Sequence, residues 1–131
     1  MSLESVASAQ EITVDEFVSG KVTPLSIEDR VYQWSEKLIE CLEADYSRQF
    51  NGPHACPIKF EIRKGRKFLK VVQINNQESV HAFVDKKTGE VYKPASWNKA
   101  AQHVRYDLRI IQSRLECFNR ADWAGGYLYI R

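Results

Sequence analysis

The sequence predicts an α+β fold in which a long N-terminal amphipathic helix packs on an antiparallel β-meander of about four strands. Two patterns support this prediction: apolar residues first recur at helical spacing, and beyond Pro57 they alternate with polar residues at a period of two. Turn signals separate the apolar runs of the second part, as expected for strands joined by hairpins. A second helix and a short strand are expected at the C-terminus.

The long helix is predicted to begin after Ser26 and to end at Asn51-Gly52-Pro53. Ser26 is suited to cap the helix, with Asp29 three residues later in the manner of a capping box. The apolar side of the helix consists of Ile27, Val31, Trp34, Leu38, Leu42 and Tyr46. Residues 1–24 are expected to form a flexible or weakly structured arm, and residues 25–131 a single domain.

The loop lengths predict which strand residues share a face. We expect two-residue loops at Lys64-Gly65 and Asn75-Asn76 and a four-residue loop at 86–89. With these loops the apolar residues of all strands fall on one face, which the apolar side of the helix would cover. That face consists of Ile58, Phe60, Ile62, Leu69, Val71, Val80, Ala82, Val84 and Val91.

The same register places Phe60 opposite Leu69 and Val71 opposite Val80, and it forms a row of rings across the other face. The row consists of Phe68, Phe83 and Tyr92, in that order. It is bordered by Lys59, Arg63, Arg66, Lys70 and His81. A slip of one residue would turn the rings into the core, so their position depends on the loop lengths.

The C-terminal part is predicted from three segments. Residues 94–99 are expected to leave the sheet and cross the domain. Apolar residues at helical spacing predict a helix at 107–120, which could also cover the aromatic face of the sheet. Ala124-Gly125-Gly126 would break that helix, and residues 127–130 would form a final strand.

Composition narrows the class of protein. No apolar run reaches the roughly 18 residues of a membrane span, and the N-terminal residues lack the basic and apolar regions of a secretory signal. We therefore expect neither a membrane span nor a secretory signal. Cys41, Cys56 and Cys117 form an odd set without a CxxC motif, which predicts reduced thiols in a cytosolic setting.

The net charge of +2 conceals two halves of opposite sign. Residues 1–50 carry four Lys or Arg against ten Asp or Glu, a balance of −6, whereas residues 51–131 carry 15 against seven, a balance of +8. Such halves favour a self-complementary homo-oligomer or a basic face for an acidic partner. Alternatively, an acidic helix simply lies against a basic sheet.

Candidate catalytic and metal-binding groups are weak. Cys56, His81 and Asp85 could be imagined as a nucleophile, base and orienting acid, but Cys56 precedes a strand and has no helix N-terminus to activate it. His54 and Cys56 have no second pair at zinc-ligand spacing. Phosphate loops, GxSxG and HExxH motifs are also missing from the sequence. We therefore expect no enzyme activity, cofactor or metal.

The segment SVHAFVDKKTGEVYKPASWNKAAQHVRYDL and the closing GYLYIR resemble small proteins of unknown function encoded by bacteriophages and related viruses. The resemblance covers about residues 58–131. Here NKAAQ stands where those proteins are expected to have a proline, which predicts a more helical connection. The resemblance implies a viral accessory or virion protein in the host cytoplasm or the virion, and it implies no reaction.

The sequence thus predicts a non-enzymatic viral accessory module with a basic, aromatic-containing sheet face. Single-stranded nucleic acid suits this face best, because cations follow the phosphates and rings stack with bases. The predicted contacts are Arg63, Lys64, Arg66, Lys67, Lys70, Phe68, Phe83 and Tyr92. The alternative is a protein–protein role, as a virion component or an inhibitor of a host protein, with the same rings as anchors. A further alternative is that the exposed lysines serve solubility alone.

Overall fold

The computed structural model describes residues 26–54 and 56–129, so the prediction for residues 1–24 lies outside the described residues. Five strands form one antiparallel sheet in the order β1-β2-β3-β4-β7, and β5 pairs with β6 in a separate hairpin. This confirms the α+β class, with one strand more than the predicted meander. In chain order the elements are α1 (Ile27–Gln49), β1 (Lys59–Lys64), β2 (Phe68–Ile74), β3 (Glu78–Asp85), β4 (Glu90–Tyr92), β5 (Pro94–Ser96), β6 (Lys99–Ala100), β7 (Tyr106–Asp107), α2 (Ile111–Arg120) and a 3₁₀ helix (Gly126–Tyr129).

Helix α1 forms where the sequence predicts it and covers one face of the sheet. Ser26 caps it, since its hydroxyl oxygen accepts the backbone N–H of Asp29 at 3.1 Å. Val31, Leu38 and Leu42 are completely buried, and each such side chain contributes roughly 1.5–3 kcal/mol to folding. Their partners in the sheet include Phe60, Leu69, Val71, Ala82, Val84 and Val91.

The pairing of β1 with β2 differs from the prediction without changing which residues face the core. Phe60 lies opposite Gln73 rather than Leu69. The displacement of four residues along β2 is even, so every side chain keeps its face. The loop is longer than two residues, because Lys64 pairs with Leu69 and the Gly65 N–H donates to the Phe68 carbonyl at 2.8 Å.

A β-bulge in β3 moves two side chains to faces opposite to those predicted. Val71 pairs with Ala82, but Val72 pairs with Val80, so His81 is the extra residue. His81 therefore turns into the core, where its ring meets that of Phe60 edge-on at 5.4 Å. The expectation that Val80 faces the core and His81 the outer face, meaning the sheet face opposite α1, was wrong.

The β5–β6 hairpin, and not the second helix, covers part of the outer face. β5 packs against β3, whereas α2 packs against α1 and β7. Val72 is completely buried and Phe83 is only 3% exposed, although both lie opposite the core face. The predicted helical connection at NKAAQ was also wrong, because Lys99 and Ala100 form β6.

The C-terminal segment is helical where a strand was predicted. Residues 126–129 form a 3₁₀ helix, and the short strand of this region is β7, which precedes α2. The Asp122 carboxylate accepts the N–H groups of Gly126 and Tyr127, both at 3.1 Å. These bonds satisfy donors at the start of the 3₁₀ helix and favour it over an extended chain.

Substitution of glycines should separate two kinds of constraint. Gly89→Ala is expected to lower the free energy of unfolding by about 1–2 kcal/mol, because φ is +76° and a Cβ would lie 3.0 Å from Cγ of Arg109. Gly65→Ala should cost less, since its Cβ only approaches the Phe68 carbonyl at 3.1 Å. Gly52→Ala, with no atom within 4 Å, is the control. Urea unfolding should rank the three in this order, and equal midpoints would contradict the turn assignments.

The three cysteines should react with a thiol reagent in the order of their exposure. Cys56 is exposed, Cys41 is half-buried and Cys117 is completely buried. Burial raises the pKa of the Cys41 thiol and raises that of Cys117 to about 12, and only the thiolate reacts. We expect Cys56 to be labelled first and Cys117 only after unfolding. Fewer than three thiols in the unfolded, unreduced protein would reveal a disulfide.

Candidate nucleic-acid interface

The residues predicted to bind nucleic acid come together at the loop between β1 and β2. An open groove of about 260 Å³, here called the basic groove, is lined there by most of them together with Gly65 and Asn98. The predicted residues in its lining are Arg63, Lys64, Arg66, Lys67, Phe68, Lys70 and Phe83. Tyr92 lies beside the groove, with its ring centroid 5.8 Å from that of Phe68.

The aromatic row exists, but it is a cluster rather than a ladder. Phe83 pairs with Tyr92 as predicted, whereas Phe68 pairs with Asp85. The rings of Phe68 and Phe83 still meet at 5.5 Å and 66°. Because Phe83 is only 3% exposed, it forms the floor of the cluster and has no free ring face. Phe68 and Tyr92 are half-buried and keep part of their surface accessible.

Arg63 is directed away from the loop by two carboxylates. Its guanidinium donates to both oxygens of Glu78 at 2.6 and 2.9 Å and to Glu61 at 2.8 Å. These bonds raise the pKa of Arg63 and hold the pKa of Glu78 below its usual value. A bidentate pair of this kind already satisfies the guanidinium, so Arg63 is poorly suited to contact a phosphate.

Lys64 faces helix α1 rather than the outer face. Its ammonium lies 4.8 Å from the centroid of the Tyr32 ring. It also lines a second groove, of about 530 Å³, together with Lys86 and three acidic residues of the first turns of α1. Those acidic residues are Glu28, Asp29 and Glu36. At this place the acidic helix does lie against basic residues of the sheet.

Lys70 connects the sheet to the turn of the β5–β6 hairpin. Its ammonium lies 4.3 Å from the Trp97 ring centroid and donates to the Asn98 amide oxygen at 3.4 Å. Trp97 is 41% exposed, so part of its ring surface is accessible beside Lys70. Trp97 was not among the site residues predicted from the sequence. Its neighbour Asn98 is a typical turn residue, and this was the one feature that could have indicated a hairpin turn presenting the tryptophan.

Arg66 and Lys67 are exposed at the loop, as is Lys64 on its α1 side. Neither Arg66 nor Lys67 forms a salt bridge with any residue of the described ranges. The Lys67 ammonium lies 5.3 Å from the Phe68 ring centroid, and the Lys67 carbonyl accepts the N–H of Lys86 at 3.1 Å. The loop backbone is therefore held in place while both charges face solvent.

The groups considered for catalysis have separate partners. Nε2 of His81 lies 2.8 Å from the hydroxyl of Tyr127. The Asp85 carboxylate accepts the N–H groups of Lys87 and Thr88 in the β3–β4 turn. Cys56 is exposed ahead of β1. The structure does not bring these three groups into one constellation.

Metal binding and membrane spanning can be judged for the residues that the structure describes. Within them, no cluster of three or more His, Cys, Asp or Glu side chains has the arrangement needed to hold a metal ion. None of the helices in this part of the chain combines the length and apolarity needed to cross a membrane.

A family model described as a family of unknown function, DUF7717, matches residues 14–130. The chain belongs to this family. No curated protein and no solved structure matches it. The DUF7717 match includes every residue of the basic groove, and its description names neither a function nor a source. The viral origin implied by the resemblance therefore stays a prediction.

The Arg63–Glu78 pair predicts a pH-dependent contribution to stability. Because Arg63 lowers the pKa of Glu78 in the folded chain, the contribution is present above the unfolded pKa and is lost as pH falls through the folded one. Glu78→Gln should therefore lower Tm at pH 7, and the difference from wild type should shrink as the pH falls below the ordinary glutamate pKa of about 4.3. Thermal melts across this range provide the measurement. An equal difference at pH 7 and at pH 3 would contradict the pairing.

Proposed function

We propose that the protein is a non-enzymatic module that binds single-stranded nucleic acid along the basic groove. The observation that carries this proposal is the juxtaposition of free cations and accessible rings. Arg66 and Lys67 present charge at the loop, Phe68 lines the same groove, and Trp97 presents ring surface beside Lys70. Cations without carboxylate partners can neutralise phosphates, while exposed rings can stack with bases.

The geometry changes the roles within the predicted set. Arg66 and Lys67 are the phosphate contacts in this proposal, and Trp97 and Phe68 are the stacking surfaces. Lys70 orients Trp97 through its contact with the ring face. The remaining members of the set support the groove. Arg63 is held by the carboxylates of Glu61 and Glu78, and Lys64 contacts the ring of Tyr32. Phe83 forms the floor, and Tyr92 lies at the edge.

Single strands suit the groove better than a duplex. Ring faces can stack only with bases that are not already stacked within a double helix. The basic groove is open and small, with a volume of about 260 Å³, which corresponds to a shallow surface rather than a channel for a duplex. The fixed positions of the rings therefore favour a flexible strand that adapts to them.

The surrounding charges restrict the path of such a strand. Helix α1 places its acidic residues beside Lys64 and Lys86, whereas Arg66 and Lys67 form no salt bridge with a carboxylate of the described residues. On the outer face, Asp85 and Glu90 follow in the direction of β4, and Glu90 accepts the Tyr92 hydroxyl at 3.1 Å. Phosphates are thus favoured near Arg66 and Lys67 and disfavoured beyond Tyr92.

Salt dependence of binding to a labelled single-stranded oligonucleotide should test the proposal. Each phosphate that a cation neutralises contributes about 0.7 to the slope of log K against log salt for single strands. Arg66→Ser/Lys67→Ser should therefore weaken binding and flatten the slope by about 1.4. Trp97→Ala should weaken binding by about 1–3 kcal/mol for a lost stacked base, with the slope unchanged.

The matched control removes two exposed cations elsewhere. Lys37 and Arg120 each belong to exposed surface ion pairs, which contribute little to stability. Lys37→Ser/Arg120→Ser should leave the slope close to that of wild type. Equal flattening in this control would mean that net charge alone attracts the strand. No binding of DNA or RNA single strands at low salt would refute the proposal.

The second candidate function is binding of a host or viral protein, in the host cytoplasm or the virion. It is favoured by large aliphatic side chains that are 56–63% exposed at the start of α2. These side chains are Ile110, Ile111 and Leu115. Exposed apolar residues that lie together mark interaction surfaces more often than single ones do. This surface becomes the preferred candidate if no nucleic acid binds.

A further inference from the structure

A cleft distinct from both grooves described above lies at the other end of the sheet, near the β2–β3 turn. Its volume is about 320 Å³, which is within the range of small-molecule sites. Its walls combine apolar and polar side chains from the sheet, from the start of β5 and from the C-terminal segment. The main lining residues are Ser79, Val80, His81, Lys93, Trp123 and Gly125.

His81 places a hydrogen-bond donor in this cleft. The residue is only 7% exposed, and its Nε2 lies 2.8 Å from the Tyr127 hydroxyl. That hydroxyl makes no other hydrogen bond within the described residues, and the tautomer in which it donates to Nε2 is the one that leaves its buried proton paired. The proton of the neutral imidazole is then on Nδ1.

Gly125 keeps the Nδ1 edge of the His81 ring open. A Cβ at Gly125 would lie 3.7 Å from Cε1 and 4.0 Å from Nδ1, so the glycine backbone faces this edge. Both residues line the cleft, and Nδ1 makes no hydrogen bond to a residue of the described ranges. In this tautomer Nδ1–H is accessible from the cleft and free to donate to an acceptor that enters it.

The charges around the cleft define what it can accept. Lys93 supplies an ammonium, which lies 4.4 Å from the Tyr129 ring centroid. Burial lowers the pKa of His81 to about 4, so its ring is uncharged at neutral pH. The Asp122 carboxylate, held by the N–H groups of Gly126 and Tyr127, adds a negative charge close to His81. The cleft therefore offers a ligand one cation, Lys93, and one neutral donor, His81, and the negative charge of Asp122 lies close to the latter.

We propose that this cleft binds a small carboxylate with an apolar or aromatic body. The single ammonium of Lys93 and the N–H of His81 match the two oxygens of a monoanion. Pro94, Leu128 and Trp123 supply the apolar walls for the body of the ligand. A dianionic phosphate is disfavoured because Lys93 is the one cation in the described lining and Asp122 lies close by. This site is separate from the basic groove.

Benzoate is a suitable probe for the full-length protein, with benzamide as its uncharged counterpart and inorganic phosphate as the dianion. Nuclear magnetic resonance titration should give saturable shifts at His81, Lys93 and Gly125 with benzoate. Benzamide should bind about tenfold more weakly, because it lacks the charge that pairs with the ammonium. Phosphate should not shift these resonances.

Two lysine variants provide a matched comparison. Lys93→Met removes the ammonium and keeps the length of the side chain, and it should weaken benzoate binding about tenfold. Lys70→Met removes a lysine with the same kind of ring contact, 4.3 Å from Trp97, and it should leave benzoate binding unchanged. Absence of saturable shifts, equal binding of benzamide, or an equal effect of both variants would overturn the proposal. None of these outcomes bears on nucleic-acid binding.

Discussion

The fold depends on the burial of one apolar sheet face beneath helix α1. Val31, Leu38 and Leu42 of the helix meet strand residues such as Val71 and Val84 in a core that is completely closed to solvent. Because strand side chains alternate with a period of two, this single constraint assigns a face to every other strand residue. The opposite face is thereby released from the core and carries both the basic groove and its covering hairpin.

The bulge in β3 is the exception to this alternation, and its consequence is chemical. One extra residue turns His81 toward the core, where its ring stacks against Tyr127 at 5.6 Å and meets Phe60 edge-on. An imidazole in such a place is desolvated and stays uncharged. The bulge therefore converts an expected surface histidine into a buried donor at the edge of a cleft.

The outer face combines protection and exposure within a short distance. β5 packs against β3 on a face where Val72 and Phe83 are buried, and the turn of the same hairpin places Trp97 beside Lys70. Near the loop between β1 and β2, Arg66 and Lys67 are exposed, with no such cover from the residues that the structure describes. Arg63 is paired with carboxylates, whereas Arg66 and Lys67 form no salt bridge with a described residue.

The sequence by itself determined helix α1, the strands β1 to β4 and the face of most of their residues, because burial periodicity is a local property of the chain. The predicted β1–β2 register was wrong by four residues, but the predicted faces were still correct because an even shift leaves them unchanged. Only the tertiary structure decided what depends on contacts between distant segments. Three features leave no periodic signal in the sequence: the bulge at His81, the hairpin that carries Trp97, and the carboxylates that bind Arg63. Their positions follow from packing and pairing in three dimensions.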